Sequence, residues 1–293
     1  MISLALAALF LPLSHFLIAS TQLRGQLIRR LGDGRYLASY SALTLVALAW
    51  LVVAYLRAPA LVLWTTPRWV APSLLPVFLV GSVLITAGIS TPNPVIVRQG
   101  HLFDQADVVR GILRVSRNPF FWGVGLVSLA QVIVLGDVGT LLTFGSVGFL
   151  GIIGSFVLDA KKAGQYQEAW RAFAAATSNV PFLAIIRGRQ HLSVREIGPR
   201  RITSGLGVFL VTFAFDTLVS GQNLLSIWLN VLASIQRSCG RWWRVTFTPC
   251  PTKWYWRCAS PRQACVTSRR PMICARRCCA ALASAAWSRW LSP

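Results

Sequence analysis

Acidic side chains are scarce in this chain. Eight Asp and Glu stand against 29 Lys and Arg in 293 residues, and charged residues of every kind make up only 13%. A water-soluble domain carries about a quarter, so a soluble globular fold is excluded. Histidine is rarer still: His15, His101 and His191 are the whole set, too few and too scattered for a clustered metal site. Cysteine is absent before residue 239, and the seven that follow (Cys239, Cys250, Cys258, Cys265, Cys274, Cys278 and Cys279) make no paired C-x-x-C and have no histidine beside them. That excludes a zinc-ribbon reading. A basic region ahead of the first apolar run is also missing, and Arg24, Arg29, Arg30 and Arg35 follow it instead. A cleaved signal peptide has the opposite charge order. The net charge of +21 comes with no nucleic-acid reader motif, so nucleic acid is excluded as a partner.

What the chain has in abundance is apolar runs, with 55% hydrophobic residues overall. A bilayer is crossed by about 20 residues of helix. Runs of that order cover 2–20, 39–56, 71–90, 119–135, 138–158 and 202–219. The fold class is therefore all-α: a polytopic membrane helix bundle of about six transmembrane helices, its first partner being the lipid bilayer. Pro72 and Pro76 fall in the first turns of the third span, where missing amide donors matter least. Leu31-Gly32-Asp33-Gly34-Arg35-Tyr36 reads as a turn, and Trp64 and Trp69 mark an interfacial loop.

The basic residues fix a direction. Loops 21–38, 91–118 and 159–201 hold four, four and eight Lys and Arg, whereas 57–70 and 136–137 hold two and none. By the positive-inside bias the first group faces the cytoplasm. The expected location is the inner (cytoplasmic) membrane, multi-pass, with the N-terminus outside.

The stretch from Arg110 to Gln190 organises the rest. A hairpin of two spans turns at Gly136-Asp137, with basic residues on both flanks. Arg114 and Arg117 precede it, placed to hold an anionic group or to anchor the hairpin to phospholipid. Behind it, Tyr166, Trp170 and Phe173 recur at i, i+4 and i+7 on one helical face. This spacing predicts a short amphipathic helix over 163–176 lying in the headgroup plane, its aromatic face meeting lipid or lining an apolar pocket.

Residues 222–293 break the pattern. From 221 on there are eleven Lys and Arg, no acid, every cysteine and seven of the twelve tryptophans. Periodicity and acids vanish together, which points to a frame-shifted or disordered tail behind a first domain of residues 1–221. The competing reading is a basic tail folded onto anionic lipid.

Across 1–221 the chain resembles the NnrU-domain family, related to cis-zeta-carotene isomerases. The residues that carry it are His15, Arg-Leu-Gly-Asp-Gly-Arg-Tyr at 30–36, Tyr-Ser-Ala-Leu at 40–43, Ala58-Pro59 and Leu63-Trp64. Gly-Ile-Leu-Arg-Val-Ser-Arg-Asn-Pro at 111–119, Tyr166, Thr-Ser-Asn-Val-Pro-Phe at 177–182 and Gly-Arg-Gln at 188–190 complete it. The resemblance implies a membrane helix bundle. In the isomerase branch it implies a haem b held by histidines and an apolar carotenoid substrate. In the NnrU branch it implies a role in nitrite and nitric oxide metabolism, that is, in denitrification.

His15 is then the expected haem ligand. It lies about five residues, or roughly 7–8 Å, from the end of the first span. Ionisable groups at such depth are usually functional, although a histidine hydrogen-bonded to a helix carbonyl is the plainer alternative. Where the family reads Arg-His-Pro, this chain has Arg117-Asn118-Pro119. Further family histidines fall at Gln131, near Leu150 and Gly151, and near Asp216. Asp216 reads as snorkelling to the outer surface. His101 and His191 read as solvated.

Two other readings stay open. Arg117-Asn118-Pro119, Asp159 and Tyr166 also resemble the isoprenylcysteine carboxyl methyltransferase class, with Lys161 and Lys162 where that class has a Glu pair. Alternatively, the chain is a non-catalytic membrane factor that assists assembly of a partner protein in the membrane.

Overall fold

The computed structural model describes residues 1–19, 22–67, 70–105 and 107–220. The tail 222–293 lies outside the described residues, as does the side chain of Asp216. Among the described residues nearly all regular structure is helical. Helix α1 (Ile2–Ser14) runs on into a π-turn, His15–Ala19, and is followed by α2 (Gln22–Leu31), α3 (Asp33–Leu56) and α4 (Val70–Ser90). Short 3₁₀ turns at Gly100–Asp104 and Gly111–Arg114 lead to α5 (Pro119–Leu135) and α6 (Val138–Ala176). Two single-turn helices, α7 (Leu183–Ile186) and α8 (Val194–Ile197), precede α9 (Pro199–Ser220).

The expected class is what the chain adopts, an α-helical bundle with membrane-length helices. By length and composition α3, α4 and α6 each suffice to cross a bilayer, and α1 with its bent continuation α2 makes a fourth. Helix α5 is apolar but only 17 residues long. Six crossings therefore remain an expectation that the helix lengths carry part of the way.

The hairpin between α5 and α6 turns where the sequence places it. Gly136 ends α5 with φ of 64°, the left-handed cap that favours glycine. Asp137 then caps α6, accepting a 3.0 Å hydrogen bond from the Thr140 amide. The loop after α3 docks on this turn: Leu63 and Trp64 amides donate to the Gly136 carbonyl, and the Val138 amide donates to Leu61. This is the end of the bundle with few basic residues, called the Asp137 end below.

Side chains of small volume let the central helices touch. At Gly123 of α5 an added Cβ would sit 2.6 Å from the Gly81 carbonyl and 2.7 Å from the Ile85 amide of α4. Such close backbone approach is a common basis of helix association in lipid. Elsewhere three apolar clusters form. Leu4, Ala7, Ala8 and Leu11 of α1 pack on Ala47, Leu51 and Ala54 of α3. Leu84 and Ala87 of α4 meet Ile112, Val115 and Ile197. Val95 meets Trp170 and Phe173. Large apolar residues such as Leu45, Val46, Phe149 and Val211 remain exposed on the outside, as a lipid-facing surface requires.

One local expectation changes. The turn at Leu31–Tyr36 shrinks to Gly32, with φ of 78°, because α3 begins already at Asp33. The aromatic segment 163–176 holds a kink at Gln167 (φ 37°, ψ −98°), where the long membrane helix of α6 ends and a short second helix follows. Its aromatic face turns inward, because the loop after α4 brings Phe103 over it. The ring centroids of Phe103 lie 4.7 Å from Tyr166 and 5.5 Å from Phe173, and Trp170 and Phe173 are buried.

Gly123→Ala is expected to force α4 and α5 apart and cost about 1–3 kcal/mol, read as a lower midpoint of unfolding in detergent. Gly164→Ala, where nothing lies within 4 Å of the added methyl, should leave that midpoint unchanged or raised.

Candidate functional site

At the opposite, arginine-rich end the hairpin closes on a buried polar cluster centred on Asp159. Val138–Leu158 already supplies the 21 residues needed for a crossing, so Asp159 falls just past the apolar run. Arg117 reaches one Asp159 oxygen with both its Nε, at 2.8 Å, and a terminal nitrogen, at 2.7 Å. Asn179 Nδ2 donates to the same oxygen at 2.9 Å, and Asn118 Nδ2 donates to the other at 2.7 Å. The guanidinium also covers the Trp170 ring at 5.2 Å. Charge-assisted bonds in such low-dielectric surroundings are among the strong ones.

Local sequence puts these groups together. Pro119 opens α5, and the residue before a proline avoids helical backbone, so Asn118 sits at the cap with φ of −120°. Ser116 Oγ accepts from the Asn118 amide at 3.1 Å and donates to the Asn179 carbonyl at 2.6 Å. The Arg117 amide donates to Ser178, Phe182 donates to Val115, and Asn93 Nδ2 donates to the Arg117 carbonyl at 2.9 Å. Trp122 Nε1 donates to Asn179 Oδ1 at 2.7 Å. The 111–119 and 177–182 motifs are thus stitched to each other over Asp159.

A second clamp lies beside it. Arg114 donates from Nε to Glu196 at 2.8 Å and from a terminal nitrogen to Gln190 Oε1 at 2.7 Å. The Gly111 amide donates to the same Glu196 oxygen at 2.9 Å, and His191 Nε2 stands 4.0 Å from the other. The Arg114 hydrogen bond, then the Gly111 amide, hold the Glu196 carboxyl down from 4.5 to about 2. Both arginines expected to meet external anions therefore engage carboxylates of the chain itself.

His15 lies apart from these clusters, at the start of the π-turn. Its Nδ1 is 3.0 Å from the Leu11 carbonyl. A carbonyl only accepts, so Nδ1 carries the proton and neutral His15 keeps its lone pair on Nε2. The imidazole meets Tyr40 edge-on at 5.5 Å, and Tyr40 stacks on Tyr36 at 6.0 Å. A metal-bound histidine commonly shows the same Nδ1 contact. The rest of a haem b site is missing, however. Asn118 is committed to Asp159, Gln131 is a buried amide of α5, and Leu150 packs against the α1–α3 cluster. His101, in the 3₁₀ turn Gly100–Asp104, and His191, in a loop, are exposed. No group of three or more His, Cys, Asp or Glu among the described residues is placed to hold a metal ion. A haem held by two membrane histidines of one chain does not fit this donor set.

The sequence alone did not join Asp159, Asn179, Trp122 and Ser116 into one cluster with Arg117, since the contacts span up to 63 residues. A signal was present in the unusual polar run Thr177-Ser178-Asn179 next to a span; these three residues are all buried.

Membrane-length helices, backbone contact through small residues and an apolar exterior define a multi-pass α-helical membrane protein. Residues 3–223 match the NnrU protein family, and the chain belongs to it. No curated protein and no solved structure matches the chain.

Asn179→Ala removes the acceptor of the Trp122 indole and one donor to Asp159. The expected cost is about 1–3 kcal/mol for the groups left unpaired, with a shift in Trp122 emission on the same samples. For the Glu196 clamp the depressed carboxyl sets the sign: its stability is fully present above about pH 4.5 and fades as pH falls toward 2. The protection factor of the Gly111 amide against hydrogen exchange should fall over that window, and Glu196→Gln should lower it already at neutral pH.

Proposed function

We propose that this NnrU-family membrane protein acts as a non-catalytic factor in nitrite and nitric oxide metabolism, assisting a partner enzyme in the same membrane. The observation that carries this reading is Asn118. At the position where the family's Arg-His-Pro would offer an imidazole, the amide is spent on Asp159 and on the Ser155 carbonyl. An amide can neither ligate iron as imidazole does nor exchange a proton near neutral pH. What remains at that position is a clamp that shapes a surface.

The arginine-rich end, with the Asp159 and Glu196 clamps, faces the cytoplasm of the inner membrane, and the N-terminus and the Asp137 end face outward. The distribution of Lys and Arg supports this orientation. A second reading rests on His15 Nε2, the nitrogen with the available lone pair. Haem b on this single ligand of the chain would carry carotenoid isomerisation, the activity of the related isomerases.

A deletion strain separates the two. The factor reading expects nitrite and nitric oxide reductase activity to fall while carotenoid isomers and total haem stay unchanged. Normal reductases with accumulated cis-carotenoid would reject it. Purified protein with a Soret band lost in His15→Ala would select the haem reading. Orientation is checked with single cysteines in a background whose native cysteines are replaced. Position 97, exposed in the 91–118 loop, should be labelled only after the membrane is permeabilised, and position 62 should be labelled in intact spheroplasts.

A further inference from the structure

Helix α2 is ten residues long, and none of them is buried. It joins two antiparallel neighbours, α1 and α3. Trp50 Nε1 donates to Ser3 Oγ towards one end of that pair, and His15 meets Tyr40 towards the other. Tyr55 of α3 reaches Thr140 beside the Asp137 turn, so α2 belongs to the arginine-rich end. Residues 2–18 already supply about the length of a crossing, and α2 is bent 75° away from them. The chain thus leaves the lipid core after α1 and runs across the membrane surface until α3 begins.

The sequence of α2 suits that position. Leu23, Leu27 and Leu31 recur at i, i+4 and i+8 with Ile28 beside them, while Gln22, Gln26, Arg29 and Arg30 take the other side. Leu23 and Leu31 are 41% and 40% exposed, and Arg29 and Arg30 are exposed too. Arg24 lies on the apolar side by position, and its guanidinium covers the Tyr36 ring of α3 at 5.7 Å. Residues 22–36 hold four arginines against one carboxylate, Asp33. No ion pair among the described residues involves Arg29 or Arg30. A helix this short is marginal in water, so its leucines need a surface to enter, and its charge selects an anionic one.

From this we infer that α2 is an interfacial helix that binds anionic lipid. The Leu23–Leu27–Leu31 row enters the boundary of the acyl chains, and Arg29 and Arg30 meet lipid phosphates. The inference is independent of the proposed function, since it uses neither His15 nor Asn118.

The test is a nitroxide scan of the full chain in nanodiscs, with native cysteines replaced and single cysteines placed from 22 to 31. Collision with oxygen, which partitions into lipid, should peak at 23, 27 and 31. Collision with a water-soluble nickel chelate should peak at 22, 26 and 29. A fluorophore at position 26 then reports the lipid species in nanodiscs of mixed phosphatidylcholine and phosphatidylglycerol. Nitroxide-labelled phosphatidylglycerol should quench it more than the equivalent phosphatidylcholine does. Arg29→Gln combined with Arg30→Gln should reduce that preference about fivefold. The inference is overturned if 23, 27 and 31 are open to the nickel chelate, or shielded from both reagents as a protein partner or second copy would shield them. Equal quenching by the two lipids, or a preference that the double variant keeps, overturns it as well.

Discussion

The carboxylate of Asp159 is the constraint on which the arginine-rich end depends. It sits one residue beyond the apolar run of α6 and gathers three donors from two distant motifs: Arg117, Asn118 and Asn179. Leaving any one of these buried polar groups without its partner is costly. The result is that the loop before α5 and the loop after α6 cannot move independently. Through Trp122 and Ser116 the same cluster ties both loops to the top of the hairpin.

That clamp also gives Asn118, at the position where the resemblance implies a histidine, a structural role. Asn118 offers two amide hydrogens and directs them to Asp159 and the Ser155 carbonyl, while its backbone caps a helix that opens with proline. The Asn118 amide thus serves structure, and it supplies neither an imidazole ligand nor a proton donor near neutral pH. His15 shows the reverse. It retains the ring with Nδ1 tied to Leu11, but the positions that would supply a second histidine are Asn118, Gln131, Leu150 and Gly151.

Much of the fold was legible in the sequence. Run length alone placed the long helices, and Gly136-Asp137 announced the hairpin because a left-handed glycine followed by an acidic cap has few other uses. Other features were not legible, because they depend on which loop covers which face. The period of Tyr166, Trp170 and Phe173 correctly gave one helical face, but an apolar stripe reads the same whether lipid or protein covers it. Phe103 decided the matter from 63 residues away from Tyr166. The arginines were read as holding an anionic group or anchoring the hairpin to phospholipid, because an arginine near a membrane surface usually does. Their carboxylate partners lie 42 and 82 residues downstream, at separations no local pattern reports.

The central claim is that Arg117 and Asp159 act as a coupled pair that holds the arginine-rich end together. A double-mutant cycle with Arg117→Met and Asp159→Asn, followed by unfolding in detergent, measures that coupling directly. The account predicts an interaction energy of about 1–3 kcal/mol, with the double variant less damaged than the sum of the singles. Strictly additive single effects would contradict it.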